Sequence, residues 1–349
     1  MKATITDVAH EAGVSIKTVS RVLNKEPSVA QKTREKVLEV AKRLHYSPNL
    51  AARGLASSKS YLVALIYDSS VSPYYISRLQ EGAIGACREH GYHLVPQPLT
   101  VALKELQNSA DESVKKSKID QLLESIETLM TRLRVDGVVL APPLSDFKEV
   151  IQLFKDYNIP VALIAPSERD FETHAVKMDD EKAAQQITDY LLAQGHKSIG
   201  FIKGPDNHNA ASMRFIGFCN AMEKSGQTID AANVIRGDFS FKSGVAAANE
   251  LLSKADNRPT AIFASNDDMA AGVVSGALRA GLSVPEDLSV CGFDDTPVAK
   301  ILFPQLTTIR QPIHAMGYEA VSLLVSPKFK NAAPSVKDLD FELVIRGSA

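Results

Sequence analysis

The sequence predicts a small all-helical head followed by a larger α/β body, and three observations carry that prediction. Residues 4–24 place apolar side chains at helical spacing on both sides of a glycine. From residue 61 onward, short apolar runs alternate with amphipathic stretches, the pattern of parallel strands flanked by helices. Charge divides along the same line. Residues 1–60 hold 11 Lys and Arg against 5 Asp and Glu, and the remaining chain holds 28 against 36. The net charge of −2 therefore hides a basic head on an acidic body. Such asymmetry suits a nucleic-acid-binding module joined to a soluble sensor.

In the head, Thr4 and Asp7 form a helix-start signal, a hydroxyl that caps orphan amides with a carboxylate at the positive helix end. Val8, Ala9 and Ala12 mark one apolar face. Gly13 stands where the first helix must stop and turn. Ser15 caps a second helix whose buried side is Val19, Val22 and Leu23 and whose outer side is Ile16, Lys17, Ser20 and Arg21. A helix held this way, reading outward near its start, is what a helix-turn-helix lays in the DNA major groove. A third helix is expected over 31–44, with Val37, Leu38, Ala41 and Leu44 as its inner stripe. Ala30 precedes it. Either Ser28 with Gln31 caps this helix, or its start is weaker by about 1 kcal/mol. Over 46–56, Pro48 can sit early in a short helix that Gly54 weakens.

In the body, strands are expected over 62–67, 92–95, 137–140, 161–164, 174–177, 198–203, 261–264 and 288–292. Helices are expected over 74–90, 119–133, 146–157, 181–194, 210–225, 242–253, 267–280 and 313–325. Residues 100–118 are polar and charged, either a solvated loop or a helix extension. Open α/β sheets bind ligands outside the carboxyl ends of their strands. Tyr74, Tyr75, Arg214, Phe239, Asn266 and Asp294 all fall near such ends. Flat aromatics with Arg, Asn and Asp suit a polyhydroxylated ring, whose CH faces stack while planar polar groups bind adjacent hydroxyls.

No GxGxxG follows a strand, and the chain has no P-loop and no HExxH. Asp267-Asp268 and Asp294-Asp295 are paired carboxylates, but adjacent acids more simply mark helix starts and loops. No catalytic residues, metal ligands or cofactors are assigned. Cys87, Cys219 and Cys291 lack metal-ligand spacing and read as reduced thiols. With neither a secretory signal nor a long apolar run, a cytoplasmic protein without membrane contact is expected.

The run Asp7-Val-Ala-x-x-Ala-Gly-Val-Ser15-x-x-Thr18-Val-Ser20-Arg21-Val-Leu-Asn24 resembles the start of the lac-repressor (LacI/GalR) family of bacterial transcription regulators, and the resemblance extends over essentially the whole chain. It implies a helix-turn-helix head over 1–46, a hinge helix and linker over 47–60, and a two-lobed body over 61–349 resembling periplasmic sugar-binding proteins. The implied lobes are 61–164 with 295–326, and 165–294 with 327–349, with crossovers near Ala165-Pro166, Asp294-Asp295 and 326–334. It further implies a homodimer on a pseudo-palindromic operator, associated with the nucleoid through DNA, and a repressor of sugar-utilisation genes controlled by a small carbohydrate.

By this resemblance Thr4, Ser15, Ile16, Lys17, Thr18, Ser20, Arg21, Asn24, Asn49, Ala52 and Leu55 contact DNA. Leu55 acts as an apolar wedge that unstacks a central step. The effector is held by Tyr74, Tyr75, Arg214, Phe239, Asn266 and Asp294. Two departures bear on ligand class. Ala165 stands where some sugar-responsive relatives carry Asp, and His208 where purine-responsive relatives can carry Arg. The alternatives are a regulator answering to a purine or nucleoside, a solute-binding protein of a sugar transporter, and a sugar-processing enzyme. A transport protein would need a signal peptide and has no use for the helix-turn-helix. The chain ends without the heptad tail that makes some relatives tetramers.

Overall fold

The computed structural model describes residues 3–23, 28–46, 59–99, 111–167, 172–205, 208–254, 258–326 and 333–349. The chain divides into two compact units, Met1–Tyr61 and Leu62–Ala349.

The first unit contains α1 (Ile5–Ala12), α2 (Ile16–Leu23) and α3 (Gln31–Arg43). Thr4 and Asp7 form a full capping box. The Asp7 amide donates to Thr4 Oγ1, and the Thr4 amide donates to Asp7 Oδ2 at 2.8 Å. Gly13 ends α1 at φ 65°, a left-handed conformation that costs glycine little. Val8, Ala9, Ala12, Val19, Val22, Val37, Val40 and Ala41 make the core, with Leu23 and Leu44 packed against it. Leu38 is 47% exposed and Val40 is buried in its stead. Residues 37, 40, 41 and 44 share one helical face, and position 38 points about 100° away from it. Ala30 gives α3 no side-chain cap, so of the two expected starts the weaker one forms.

The second unit has two lobes. The first lobe's sheet contains β1 (Leu62–Asp68), β2 (His93–Leu99), β3 (Gly137–Leu140), β4 (Val161–Ile164), β5 (His174–Lys177) and β11 (Val336–Asp338). Its order is β11-β5-β4-β3-β1-β2, all parallel. β2 runs four residues beyond the expected end. It includes Pro96 and Pro98, which an edge strand accommodates. The lobe's helices are α4 (Pro73–His90), α5 (Glu112–Arg132), α6 (Lys148–Asp156) and α12 (Ile313–Val325). α5 begins with Asp111 Oδ1 accepting from the Ser113 amide, so the polar stretch is a helix extension from residue 112.

The second lobe's sheet has the order β7-β6-β8-β9, with β6 (Ile199–Lys203), β7 (Val234–Arg236), β8 (Ala261–Ala264) and β9 (Ser289–Cys291). Antiparallel β10 (Thr308–Arg310) and β12 (Glu342–Val344) pair beside it. The lobe's helices are α7 (Asp180–Ala193), α8 (Asn209–Lys224), α9 (Phe241–Leu252), α10 (Asp267–Arg279) and α11 (Pro297–Ile301).

This pairing corrects the expected lobe boundaries, because all three crossovers fall later in the chain. β5 pairs with β4, and the Ala165 amide donates to the Val176 carbonyl, so the first crossing follows Lys177. β10 belongs with the second lobe, which puts the second crossing between Arg310 and Ile313. β11 pairs with β5, and Leu339 still donates to Lys177, so the third crossing precedes Glu342. β7, β10, β11 and β12 have three residues each, too few for a periodic signal.

In the first lobe, α4 and α12 approach backbone to backbone. A Cβ on Gly82 would sit 1.8 Å from the His314 carbonyl oxygen, and one on Gly317 would sit 2.1 Å from that of Leu79. Gly82→Ala should therefore lower stability by about 1–3 kcal/mol through overpacking, measured by urea unfolding. Wild-type stability in that variant would mean the two helices separate freely.

Candidate functional site

The outer face of α2 is the first candidate site. The Ser15 hydroxyl accepts from the Thr18 amide at 3.1 Å and lies 2.9 Å from Thr18 Oγ1, fixing the helix start. Ile16, Lys17 and Arg21 are exposed, Thr18 and Ser20 half-buried, and Thr4 and Ser15 exposed at the two helix starts. Ile16 is 48% exposed, unusual for so apolar a residue. Asn24, Asn49, Ala52 and Leu55 lie outside the described residues.

The second candidate is a cleft of about 580 Å³ lined from both lobes. Tyr75, Arg214, Phe239, Asn266 and Asp294 line it together; Tyr74, expected beside them, does not. The two tyrosines are consecutive in the first turn of α4, so their side chains diverge by about 100°. Ala165 lines the cleft without being a crossover residue.

At the centre lies Arg214, only 4% exposed. Its Nε donates to Asp180 Oδ1 at 2.9 Å and its NH1 to the Ser265 carbonyl at 2.7 Å. The guanidinium sits 3.7 Å above the Phe293 ring. Asp294 Oδ1 is 3.8 Å from NH1 and accepts from Gln311 Nε2 at 2.5 Å. Asn266 is occupied by backbone: Oδ1 caps α10 through the Met269 amide, and Nδ2 donates to the Phe239 carbonyl at 3.0 Å. That second bond helps hold Phe239 at φ 66°. Ala165 and Asp294 also have positive φ, at 45° and 114°. Non-glycine residues in this region store strain, and such strain gathers at functional sites.

Burial pushes the Asp294 carboxyl up to about 6, aided by Asp180 and Asp268 and opposed by Arg214 and Gln311. Burial likewise raises Asp180 against the pull of Arg214, and raises Asp268. His208 is drawn down to about 4 by burial and then by Arg214, so its ring is neutral at pH 7. Tyr75 rises through burial and the charges of Asp180 and Asp294. Asp180, Asp268 and Gln311 escaped the sequence reading. Asp180 is legible as a carboxylate just beyond the end of β5. Gln311 becomes visible only once the second crossover is placed.

The description "Bacterial regulatory proteins, lacI family" matches residues 4–49, and a periplasmic binding protein-like domain matches residues 188–349. Catabolite control protein A of Priestia megaterium is 35% identical over 339 residues, covering 96% of this chain and 95% of that protein. This chain belongs to the LacI family. It is a DNA-binding transcriptional regulator and not an enzyme. Other LacI-family relatives include the ribose operon repressor of Escherichia coli K12, 33% identical over 93% of this chain and 92% of that one. The transcriptional repressor PurR of Pectobacterium carotovorum is 34% identical over 93% and 89%. Among solved structures, the lac repressor dimer bound to operator and the anti-inducer ONPF superposes with TM-score 0.74 at 28% identity, covering 100% of this chain and 99% of that one. The CelR–cellobiose complex does so with TM-score 0.71 at 29% identity, covering 99% and 100%.

Arg214→Met leaves the Asp180 charge buried without its partner and should cost about 3–5 kcal/mol in urea unfolding at pH 7. Adding Asp180→Asn should recover part of that loss, and strict additivity would show that the pair is not coupled.

Asp294 gives a pH signature. Its carboxyl titrates near 6 in the folded chain, above the ordinary 3.8, so across that window the folded chain holds a proton that the unfolded chain has lost. Stability from this group falls as pH rises through the window. Asn also tolerates positive φ. Asp294→Asn should therefore gain stability relative to wild type as pH rises from 4 to 6, followed by thermal unfolding.

Proposed function

We propose that this regulator is a homodimeric repressor of sugar-utilisation genes whose hold on a pseudo-palindromic operator is set by a small carbohydrate in the cleft. The observation that carries the reading is the composition of that cleft: Phe239 and Tyr75 offer ring faces, and Arg214, Asp294 and Asn266 offer planar polar groups, all on one cavity. Sugars present CH faces and adjacent hydroxyls to such a wall. The relatives' names do not choose the ligand, since both a ribose operon repressor and PurR are among them. The neutral, half-buried His208 favours the sugar reading over a purine, because it adds no positive charge to the wall.

On the head, Ile16, Lys17 and Arg21 read base edges in the major groove, with Thr4, Ser15, Thr18, Ser20 and Asn24 around them. Lys17 and Arg21 carry donors suited to guanine, and Ile16 offers an apolar contact. The hinge roles of Asn49, Ala52 and Leu55 rest on the sequence resemblance. Three crossovers join the lobes, so closure on a ligand rotates one against the other. A ligand acts only by preferring one arrangement, and a hundredfold preference corresponds to about 2.7 kcal/mol.

Two measurements test this reading. With an operator selected in vitro, Arg21→Ala should lose about 1–3 kcal/mol on that sequence and much less on random DNA; equal losses would leave Arg21 a phosphate contact only. Saccharides and purines should then be titrated into the protein–operator complex. A shift with saccharides that Phe239→Ala abolishes supports the cleft assignment, whereas a response to purines alone rejects the ligand class.

A further inference from the structure

The cleft holds more negative than positive charge. Asp68, Asp180, Asp238, Asp268 and Asp294 line it, against Arg214 and Arg236. Arg214 is already committed to Asp180 and to the Ser265 carbonyl. Asp268, half-buried in the first turn of α10, makes no hydrogen bond or ion pair with any described residue. Its charge nevertheless reaches Asp294 across the cleft floor and adds to the rise of that carboxyl. A partly desolvated carboxylate without a partner is costly unless something neutralises it.

An independent group points the same way. His208 Nδ1 is shielded from solvent and finds no hydrogen-bond partner, although His208 lines the same cleft edge-on to Phe239. The ring is neutral at pH 7, so one of its nitrogens is free to accept. Two carboxylates and a ring nitrogen thus face one space with no cation of the chain's own assigned to them.

We propose that the cleft takes an effector bearing a protonated amino group, an amino sugar in its free-amine form, seated against Asp268 and Asp294, and that it rejects phosphorylated and acidic sugars. This inference rests on the cleft being the carbohydrate site. An ammonium carries three donors, enough for both carboxylates and one further acceptor, whereas a hydroxyl carries one. Its charge offsets the surplus, and the ring faces of Phe239 and Tyr75 lie on the same wall to receive it. A phosphate would bring roughly 1.5–2 further negative charges into a cleft already in deficit of cations.

The test is isothermal titration of the full-length protein at pH 7 with glucosamine, galactosamine and mannosamine. Each is compared with its parent hexose, its N-acetyl form and its 6-phosphate. Chitosan disaccharide against cellobiose supplies a disaccharide pair. At least one free amine should bind tenfold or more tightly than its neutral counterpart, with no detectable binding of the phosphate. Asp268→Asn should lower that amine's affinity at least tenfold and leave the neutral sugar within threefold. Equal binding of amine and neutral sugar, tighter binding of a phosphate, or an amine preference that survives Asp268→Asn overturns the proposal while the carbohydrate reading stands. Binding of no saccharide in any form overturns both.

Discussion

The second lobe and the cleft both depend on one buried cation. Arg214 reaches from α8 to the start of α7, to the carbonyl just beyond β8, and to the ring just beyond β9. A guanidinium suits this place because its donors are fixed in a plane and its face stacks on an aromatic. The chain invests both properties at once, one edge on Asp180 and Ser265 and one face on Phe293. Desolvation makes this arrangement stringent, since an unpaired charge at such a depth is far costlier than a surface one. Arg214 is therefore first a fastener of three strand ends and only then part of a binding wall.

Around that fastener the backbone is held in conformations that side chains avoid. Ala165, Phe239 and Asp294 line the cleft at positive φ, and Asp295 follows at 50°. Hydrogen bonds hold much of this region in place. Asn266 clamps the Phe239 carbonyl, Gln311 clamps Asp294, and Asp295 accepts from Arg310 Nε and Arg346 NH2. Asp267, fully buried, accepts from Thr308 Oγ1 and the Thr296 amide. The last two networks join β9, β10 and the C-terminal segment next to the second crossover, so a change in cleft occupancy has a stiff element to act on.

The head solves a different problem. Its core is small and made of Val and Ala, which lets three short helices pack closely. Helices of eight residues are marginal by themselves, so caps matter: Thr4 with Asp7 for α1 and Ser15 for α2 fix where each begins. Those caps also decide which residues of α2 face outward. Shifting the start of α2 by one residue would rotate Ile16, Lys17 and Arg21 by about 100°.

Local physics was enough to settle the caps, the turn at Gly13, the outward face of α2 and nearly every strand and helix longer than three residues, because capping and periodicity are written in neighbouring positions. The same logic gathered Tyr75, Arg214, Phe239, Asn266 and Asp294, since parallel sheets expose their strand ends on one side. It could not tell Tyr75 from Tyr74, or Val40 from Leu38, where a single step around a helix decides between wall and surroundings. Tertiary structure alone placed the crossovers, because β10, β11 and β12 have three residues each and their sheet is chosen by hydrogen-bond partners far along the chain. It also revealed that the Arg214 and Asn266 side chains are largely engaged by the protein itself. Burial and pairing are properties of what surrounds a side chain, and those surroundings come together only when distant strand ends meet.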